Sequence, residues 1–365
     1  MFVNHLRVRD FRNHERFELE LTEPITAIEG PVGAGKTNLV EALYAACVGR
    51  SFRTANDREL IRFGCTTARA AVTFVAAGLE HSLELAIPRS QPKVIRLDGA
   101  RHDRPADASQ RPLVCVFAPD RLELVKGPAG MRRAHLDEVL AALWPARRET
   151  RREYARALAQ RNGLLSRIRA GVASTTSLGG WTRELARHGL ALMRDRFEAV
   201  KLLSPRFAEL AAHLGLPGTA SLAYSPRSDA TTVEGLEEEL QAALPTDLQR
   251  GFTGHGPHRD DLSLELDGRQ LRRFGSQGQQ RLALLALLCA ERDVLAASRD
   301  RTPVLLLDDV LSELDTERRE SLLALLERGG QALLTTADPA VTNSSADLAR
   351  VRLGPIDRGP VRAAA

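Results

Sequence analysis

The sequence predicts an α/β fold, a mixed sheet with an antiparallel β layer, into which a mostly helical arm is inserted. Three observations carry this. The apolar run Ile25-Thr26-Ala27-Ile28 leads into Gly30-Pro31-Val32-Gly33-Ala34-Gly35-Lys36-Thr37, and then into an amphipathic stretch from Asn38 to Tyr44. That is the strand–loop–helix order of a phosphate-binding loop. A second apolar run, Val304-Leu305-Leu306-Leu307, ends in Asp308-Asp309, as suits a parallel strand buried on both faces. Between them, residues 145–245 are rich in Arg, Ala and Leu and read as helical.

The elements follow in order. Leu6/Val8 and Phe17/Leu19/Leu21 alternate, giving two strands before the loop. In the loop, glycines let the backbone approach phosphate with no Cβ in the way. The N–H groups of Gly33, Ala34, Gly35 and Lys36 can then face a β-phosphate at the positive end of the helix. Lys36 adds a charge over the β/γ oxygens, and Thr37 offers a hydroxyl to Mg²⁺. A nucleoside triphosphate, ATP, is the expected ligand. Residues 70–117 alternate as Val72/Phe74, Leu83/Leu85/Ile87 and Val114/Val116, with a hairpin at Leu97-Asp98-Gly99. Leu262/Leu264/Leu266 alternate before an Asp267-Gly268 turn. Ser276 is a natural N-cap for the apolar helix 282–288, and its exposed N-terminus is a second anion site. Asp308, at the carboxyl end of its strand, is placed to hold magnesium directly or through water. Asp309 is placed to orient or deprotonate the attacking water.

Composition sets further bounds. The chain has 365 residues, a formal net charge of +4 and 4% aromatic residues, enough length for a large core and two domains. Its apolar runs fall far short of a membrane span. The first residues, Met1-Phe2-Val3-Asn4-His5-Leu6-Arg7, lack the form of a signal peptide, so a cytoplasmic location is expected. Cys47, Cys65, Cys115 and Cys289 are widely spaced, as free buried thiols would be, and point to neither zinc nor a disulfide framework. Charge is uneven: residues 145–200 hold twelve Arg against five acids. Arg148, Arg152 and Arg156 share a helix face that could neutralise duplex DNA phosphates without sequence preference. The same pattern also suits a solvated helix whose arginines pair with Glu149 and Glu153. With few aromatics, base stacking is a minor mode. His81, His188 and His213 read as surface residues, and His258 as a turn residue or a nucleotide neighbour.

The later motifs carry a resemblance. Ser276-Gln277-Gly278-Gln279-Gln280-Arg281 is similar to the signature motif of the ABC ATPase superfamily, and Ser312-Glu313-Leu314-Asp315 to its D-loop. Residues 38–273 are too long an interval for a transporter ATPase. No heptad run continues for many turns, and Pro145, Gly171, Gly179-Gly180, Pro205 and Pro217 interrupt the insertion. That argues against long-armed members. Four further blocks resemble the RecF family: Leu6–His14 with its Phe11-Arg12-Asn13 turn, Gly49–Thr54, Phe117–Gly127 with Arg132-Arg133-Ala134-His135-Leu136-Asp137, and Gly256-Pro257-His258-Arg259-Asp260-Asp261-Leu262. There are departures. Val32 stands where the family usually has Asn, and Asp120-Arg121 where it has Glu-Asp. Thr335-Thr336-Ala337-Asp338 stands where transporters carry a γ-phosphate-sensing His, as is common in RecF-like chains.

The resemblance implies an ABC-type ATPase head, hydrolysing ATP with Mg²⁺ and stimulated by DNA. Residues 1–144 would form its N-terminal part, 145–245 the helical arm, and 246–365 its C-terminal part. Lys36, Asp308 and Asp309 would be catalytic, and Thr37 and Asp308 would hold the metal. ATP would be bound by Gly30, Pro31, Val32, Gly33, Ala34, Gly35, Lys36, Thr37, Arg12 and Asn13 of one chain, and by Ser276, Gln277 and Gly278 of a partner copy. An ATP-dependent homodimer would then clamp DNA at gaps and junctions, helping RecA load with RecR and RecO in repair, replication restart and the SOS response. The alternative is an ATP-gated chromosome-structuring or DNA-tethering protein, against which the short arm argues.

Overall fold

The computed structural model describes residues 1–102, 110–299, 301–342 and 348–354. In chain order, β1 (Phe2–Phe11), β2 (His14–Glu20) and β3 (Ile25–Glu29) lead to α1 (Lys36–Val48). Then come β4 (Thr67–Ala76), β5 (Leu79–Pro88), β6 (Val94–Leu97), β7 (Ala100–Arg101) and β8 (Val114–Phe117). A helical region follows: α2 (Glu123–Lys126), α3 (Ala129–Leu143), α4 (Arg148–Arg169) and α5 (Leu178–His213). After β9 (Ala220–Ser225) come α6 (Val233–Ala242), α7 (Leu244–Arg250), β10 (Asp261–Leu266), β11 (Arg269–Gln270), α8 (Leu271–Phe274) and α9 (Gln277–Arg299). The chain closes with β12 (Val304–Asp308), α10 (Thr316–Glu327), β13 (Ala332–Thr336) and β14 (Leu348–Arg352).

Two compact units result, Met1–Arg121 with Leu295–Ala365, and Leu122–Val294. In the first, the parallel and antiparallel strands form separate sheets. The parallel sheet has the order β14-β3-β13-β12-β8, and the antiparallel one β2-β1-β4-β5-β6-β7. Its hairpins turn at Ala77-Gly78 and at the expected Asp98-Gly99, which both take positive φ, as type I′ turns require. The helix α1 is apolar nearly all round, and Leu39, Val40, Ala42, Leu43, Ala45 and Ala46 are wholly buried. A helix without a polar face must be enclosed. It packs on β1, β4 and β5 of one sheet and on β8, β12 and β13 of the other, and each large side chain so buried contributes about 1.5–3 kcal/mol. The Gln331 side chain adds a polar tie, accepting from Val3 N (2.8 Å) and donating to Val3 O (2.6 Å).

The second unit contains the whole of the expected arm, together with α2, α3, β10, β11, α8 and most of α9. Here α4 and α5 pack on each other, and β9, β10 and β11 form an antiparallel sheet with an Asp267-Gly268 turn of positive φ. Two of the expected interruptions fall between helices, Pro145 before α4 and Gly171 after it. Two others do not interrupt. Gly179-Gly180 lies in the first turn of α5, and Pro205 sits inside this helix of 36 residues. Pro205 and Lys201, four residues before it, are both exposed. Water can therefore take the carbonyl that a proline leaves without its helical donor, while Leu203, Phe207 and Leu210 keep the inner face buried.

Candidate nucleotide-binding site

The strands of the parallel sheet end together. Asp308 pairs across to Thr335, and Thr336 to Glu29. Loops leaving the carboxyl ends of such strands form the usual ligand crevice of an open α/β sheet. The loop after β3 makes one wall. Gly33 and Gly35 have φ of 87° and 91°, a left-handed backbone that glycine takes without steric cost. At Gly35 a Cβ would also stand 2.5 Å from His14 Nε2 and 2.7 Å from Asn13 Nδ2, so no side chain fits. Lys36 curls back over the loop, its Nζ donating to Gly30 O (2.7 Å) and Pro31 O (3.0 Å). Burial pulls its ammonium below its ordinary pKa, opposed by Asp309 and Asp308. Val32 is 91% exposed, and its side chain takes no part in the core.

The acids make the opposite wall. Thr37 Oγ1 lies 2.9 Å from both Oδ1 and Oδ2 of Asp308, across 271 residues of sequence. Thr335 Oγ1 donates to Asp308 Oδ1 at 2.6 Å. Asp308 is buried, and burial raises its pKa, against the hydrogen bonds from Thr335 and Thr37. Asp309 follows at the turn with φ 52°. Aspartate is among the few residues that tolerate this region, at some cost. Its N–H donates to Thr335 Oγ1 (2.9 Å), while its buried Oδ1 has no partner among the described residues. Between the walls lies a cleft of about 400 Å³ that Lys36, Thr37, Asp308 and Asp309 line.

Of the two residues expected from the Phe11-Arg12-Asn13 turn, Asn13 lines the cleft and accepts from Asn38 Nδ2 at 2.7 Å. Arg12 is engaged elsewhere, donating to both carboxylate oxygens of Glu41 (2.9 and 2.8 Å). Sequence reasoning passed over the buried Glu41, which also accepts from Ser51 Oγ (2.5 Å) and Arg53 Nη1 (3.3 Å). A charged residue within an apolar helix was the available signal, since such a group needs partners. It also passed over His14, whose Nε2 lies 3.0 Å from Gly35 O and whose pKa burial lowers. Asp120, one of the departures from the family pattern, has its side chain outside the described residues.

The second unit holds the other expected residues. Ser276 and Gln279 form a reciprocal cap on α9: Ser276 N donates to Gln279 Oε1 (2.8 Å) and Gln279 N to Ser276 Oγ (3.2 Å). Ser276, Gln277 and Gly278 are exposed, and a Cβ on Gly278 would meet nothing closer than Ser276 Oγ at 4.0 Å. Two blocks more than a hundred residues apart interlock through ion pairs. Arg132 grips Asp261 at 2.7 and 2.9 Å, and Arg196 grips Asp137 at 2.9 and 3.1 Å and reaches Asp260 at 3.1 Å. His258 belongs to this packing, with Nδ1 2.7 Å from Tyr154 OH and Nε2 3.0 Å from Thr253 O. On α4, Arg152 pairs with Glu149 (3.1 Å) and Arg156 with Glu153 (3.7 Å), both exposed. This is the solvated-helix pattern, though exposed pairs of this kind are weak enough to exchange for other anions.

The site suits a Mg²⁺-nucleotide. A hydroxyl and a carboxylate, hard oxygen donors of the kind magnesium takes, meet at Thr37 and Asp308, and the loop has backbone where a Cβ would not fit. Comparison with known proteins agrees. A family model described as an AAA domain matches residues 5–99. The DNA replication and repair protein RecF of Chloroflexus aurantiacus is 37% identical, over 99% of each chain. RecF of an Anaeromyxobacter species is 40% identical over 91% of each. Among solved structures, the recombination mediator protein RecF with ATP, in the RecFOR pathway, has a TM-score of 0.85 at 27% identity, covering 93% of this chain and 92% of that one. An Smc head bound to the C-winged helix domain of ScpA has a TM-score of 0.57 at 15% identity, covering 96% of this chain and 94% of that one, and so shares the fold. With near-complete coverage by such relatives, and a phosphate loop closed by a paired acid, the chain belongs to the RecF family and is an ATPase.

Proposed function

We propose that this chain is a recombination mediator. Its ATP-bound dimer closes on gapped or single-strand/double-strand junction DNA, and slow hydrolysis releases it. The observation that carries the reading is the junction of Thr37 with Asp308, which brings the phosphate loop and the acids of β12 into one site. Loop amides from Gly33 to Lys36, with the Lys36 ammonium, hold the β- and γ-phosphates. Asn13 lies at the cleft edge. Thr37 and Asp308 would hold Mg²⁺, whose chemistry here is to neutralise charge on the phosphate oxygens. Asp309, with an unpartnered buried carboxylate oxygen, orients the attacking water or takes its proton.

The dimer follows from a second anion site. The exposed N-terminus of α9, at Ser276, Gln277 and Gly278, has no phosphate of its own to bind if the chain's own loop holds the nucleotide. A partner's γ-phosphate satisfies it. In this reading residues 1–144 and 246–365 work as the ATPase head, and residues 145–245 as an arm. The arginines of α4, Arg152 and Arg156 exposed and Arg148 half-buried, add a contact to duplex phosphates. RecR, RecO and RecA are the partners that the pathway supplies, in the cytoplasm. Among the described residues no helix is long and apolar enough to cross a membrane.

Sedimentation with ATP, with ADP and without nucleotide, each with and without gapped DNA, tests this. A dimer with ATP alone, retained on gapped DNA in preference to uninterrupted duplex, is the expected result. A monomer under all conditions would remove the clamp.

A further inference from the structure

Two threonines end β13 side by side and spend their hydroxyls differently. Thr336 Oγ1 donates to Asp338 O (3.1 Å) and accepts from Asp338 N (3.1 Å), closing the next turn. Successive strand residues face opposite sides of the sheet, so Thr335 presents its hydroxyl on the other face, at the end of β12. Its Oγ1 accepts from Asp309 N at 2.9 Å and donates to Asp308 Oδ1 at 2.6 Å. A hydroxyl has one proton to give, so these roles are fixed, and Asp308 is the acceptor.

We propose that Thr335 is a positioning residue for hydrolysis, setting Asp308 and Asp309 as one unit. Three observations converge on it. The parallel ladder between β12 and β13 ends at Asp308–Thr335, so the next amide, that of Asp309, has no strand partner there. The Thr335 hydroxyl supplies one. That amide belongs to a residue at φ 52°, a backbone that persists only when its surroundings hold it. Finally, Thr335 is wholly buried and borders the cleft beside the acids, while Thr37 approaches the same Asp308 carboxylate from the phosphate loop. One hydroxyl thus fixes the rotamer of the metal-holding acid and the backbone that aims the water-directing acid. It need touch neither nucleotide nor water.

This rests on the ATPase site proposed above, so the experiment carries a control for that reading. Thr335→Val, Thr335→Ala and Thr335→Ser are compared with wild type and Asp309→Asn. The measurements are steady-state ATPase, equilibrium binding of a fluorescent ATP analogue with and without Mg²⁺, and thermal melting. Without the hydroxyl, Val and Ala should lower kcat about tenfold or more, since small misplacements of catalytic groups are costly. Analogue binding without Mg²⁺ should stay within about twofold of wild type, because the loop that holds the phosphates is untouched. Ser, which keeps the hydroxyl, should turn over like wild type. If Val melts early, Ala decides, as it places no methyl against the carboxylate. Wild-type turnover by Ala beside an inactive Asp309→Asn overturns the proposal alone. A Ser variant as slow as Ala does the same, because packing and not the hydroxyl would then matter. Wild-type turnover by Asp309→Asn overturns the reading of the whole site.

Discussion

At the scale of single residues, the phosphate loop is the sharpest feature. Lys36 donates to carbonyls of its own loop, Gly30 O and Pro31 O. Lys36→Ala should weaken ATP binding about tenfold to a hundredfold, the value of a charge-assisted contact. Titration with a fluorescent nucleotide measures it, and ATP-dependent dimerisation should fail with it. Asp309→Asn should keep ATP affinity and lower turnover by about 10²–10⁴, the usual contribution of a positioned base. Rapid-quench hydrolysis distinguishes that from slow product release. These residues were legible because loop chemistry is local: glycines, Lys and Thr at fixed offsets. Asp308 was legible because a buried strand that ends in an acid is unusual. Thr335 was noted only as part of the segment that replaces a γ-phosphate-sensing His, and Glu41 was not picked out. Each matters through partners that only the fold supplies, Asp308 across the ladder for Thr335, and Arg12 and Ser51 for Glu41.

At the scale of elements, α9 shows what a cap can do besides ending a helix. Ser276 and Gln279 satisfy one another, yet Ser276, Gln277 and Gly278 remain exposed at the helix start. Ser276→Arg should leave ATP bound to the monomer and block dimer closure, because a bulky cation fills the space a partner's phosphate needs. Sedimentation with ATP reads this out, and wild-type dimerisation by the variant would remove the sandwich. In α4 the buried Arg161 donates to Asp247 Oδ2 and Thr253 Oγ1, each at 2.7 Å. Asp247→Ala would leave a buried guanidinium short of its anion, at a cost of about 3–5 kcal/mol. The urea midpoint of the arm's helical signal should fall accordingly. The strands and helices around the site were readable from period and turn residues. The length of α5 was not. Proline is a breaker on average, and only the burial pattern shows that Pro205 stands where water can replace its missing donor.

At the scale of the whole molecule, charge placement and subunit cooperation can be separated. Reversing Arg148, Arg152 and Arg156 together should weaken DNA binding and flatten its dependence on salt, by about 0.9 in slope for each phosphate that is no longer neutralised. ATP affinity without DNA should not change. Equal affinity across a salt series would return α4 to an ordinary solvated helix, which its pairs with Glu149 and Glu153 already resemble. Mixing Lys36→Ala with Ser276→Arg tests cooperation directly. In the mixed dimer one composite site regains all its parts and the other loses both. Partial ATPase activity from two inactive proteins is therefore expected if one intact site can fire alone.

The ion pairs that lock Arg132 to Asp261, and Arg196 to Asp137 and Asp260, have a historical consequence. Arg132 and Arg196 are almost wholly enclosed, so losing Asp261, or both acids of Arg196, strands a buried guanidinium, costing about 3–5 kcal/mol. A marginally stable protein has only about 5–15 kcal/mol in total. A lineage can therefore scarcely abandon the acids of the later block first. Both must change in one step, or after stabilising substitutions elsewhere have made room. Two short stretches far apart in the gene are thus inherited as one unit, for reasons of electrostatics and without either needing to touch the nucleotide.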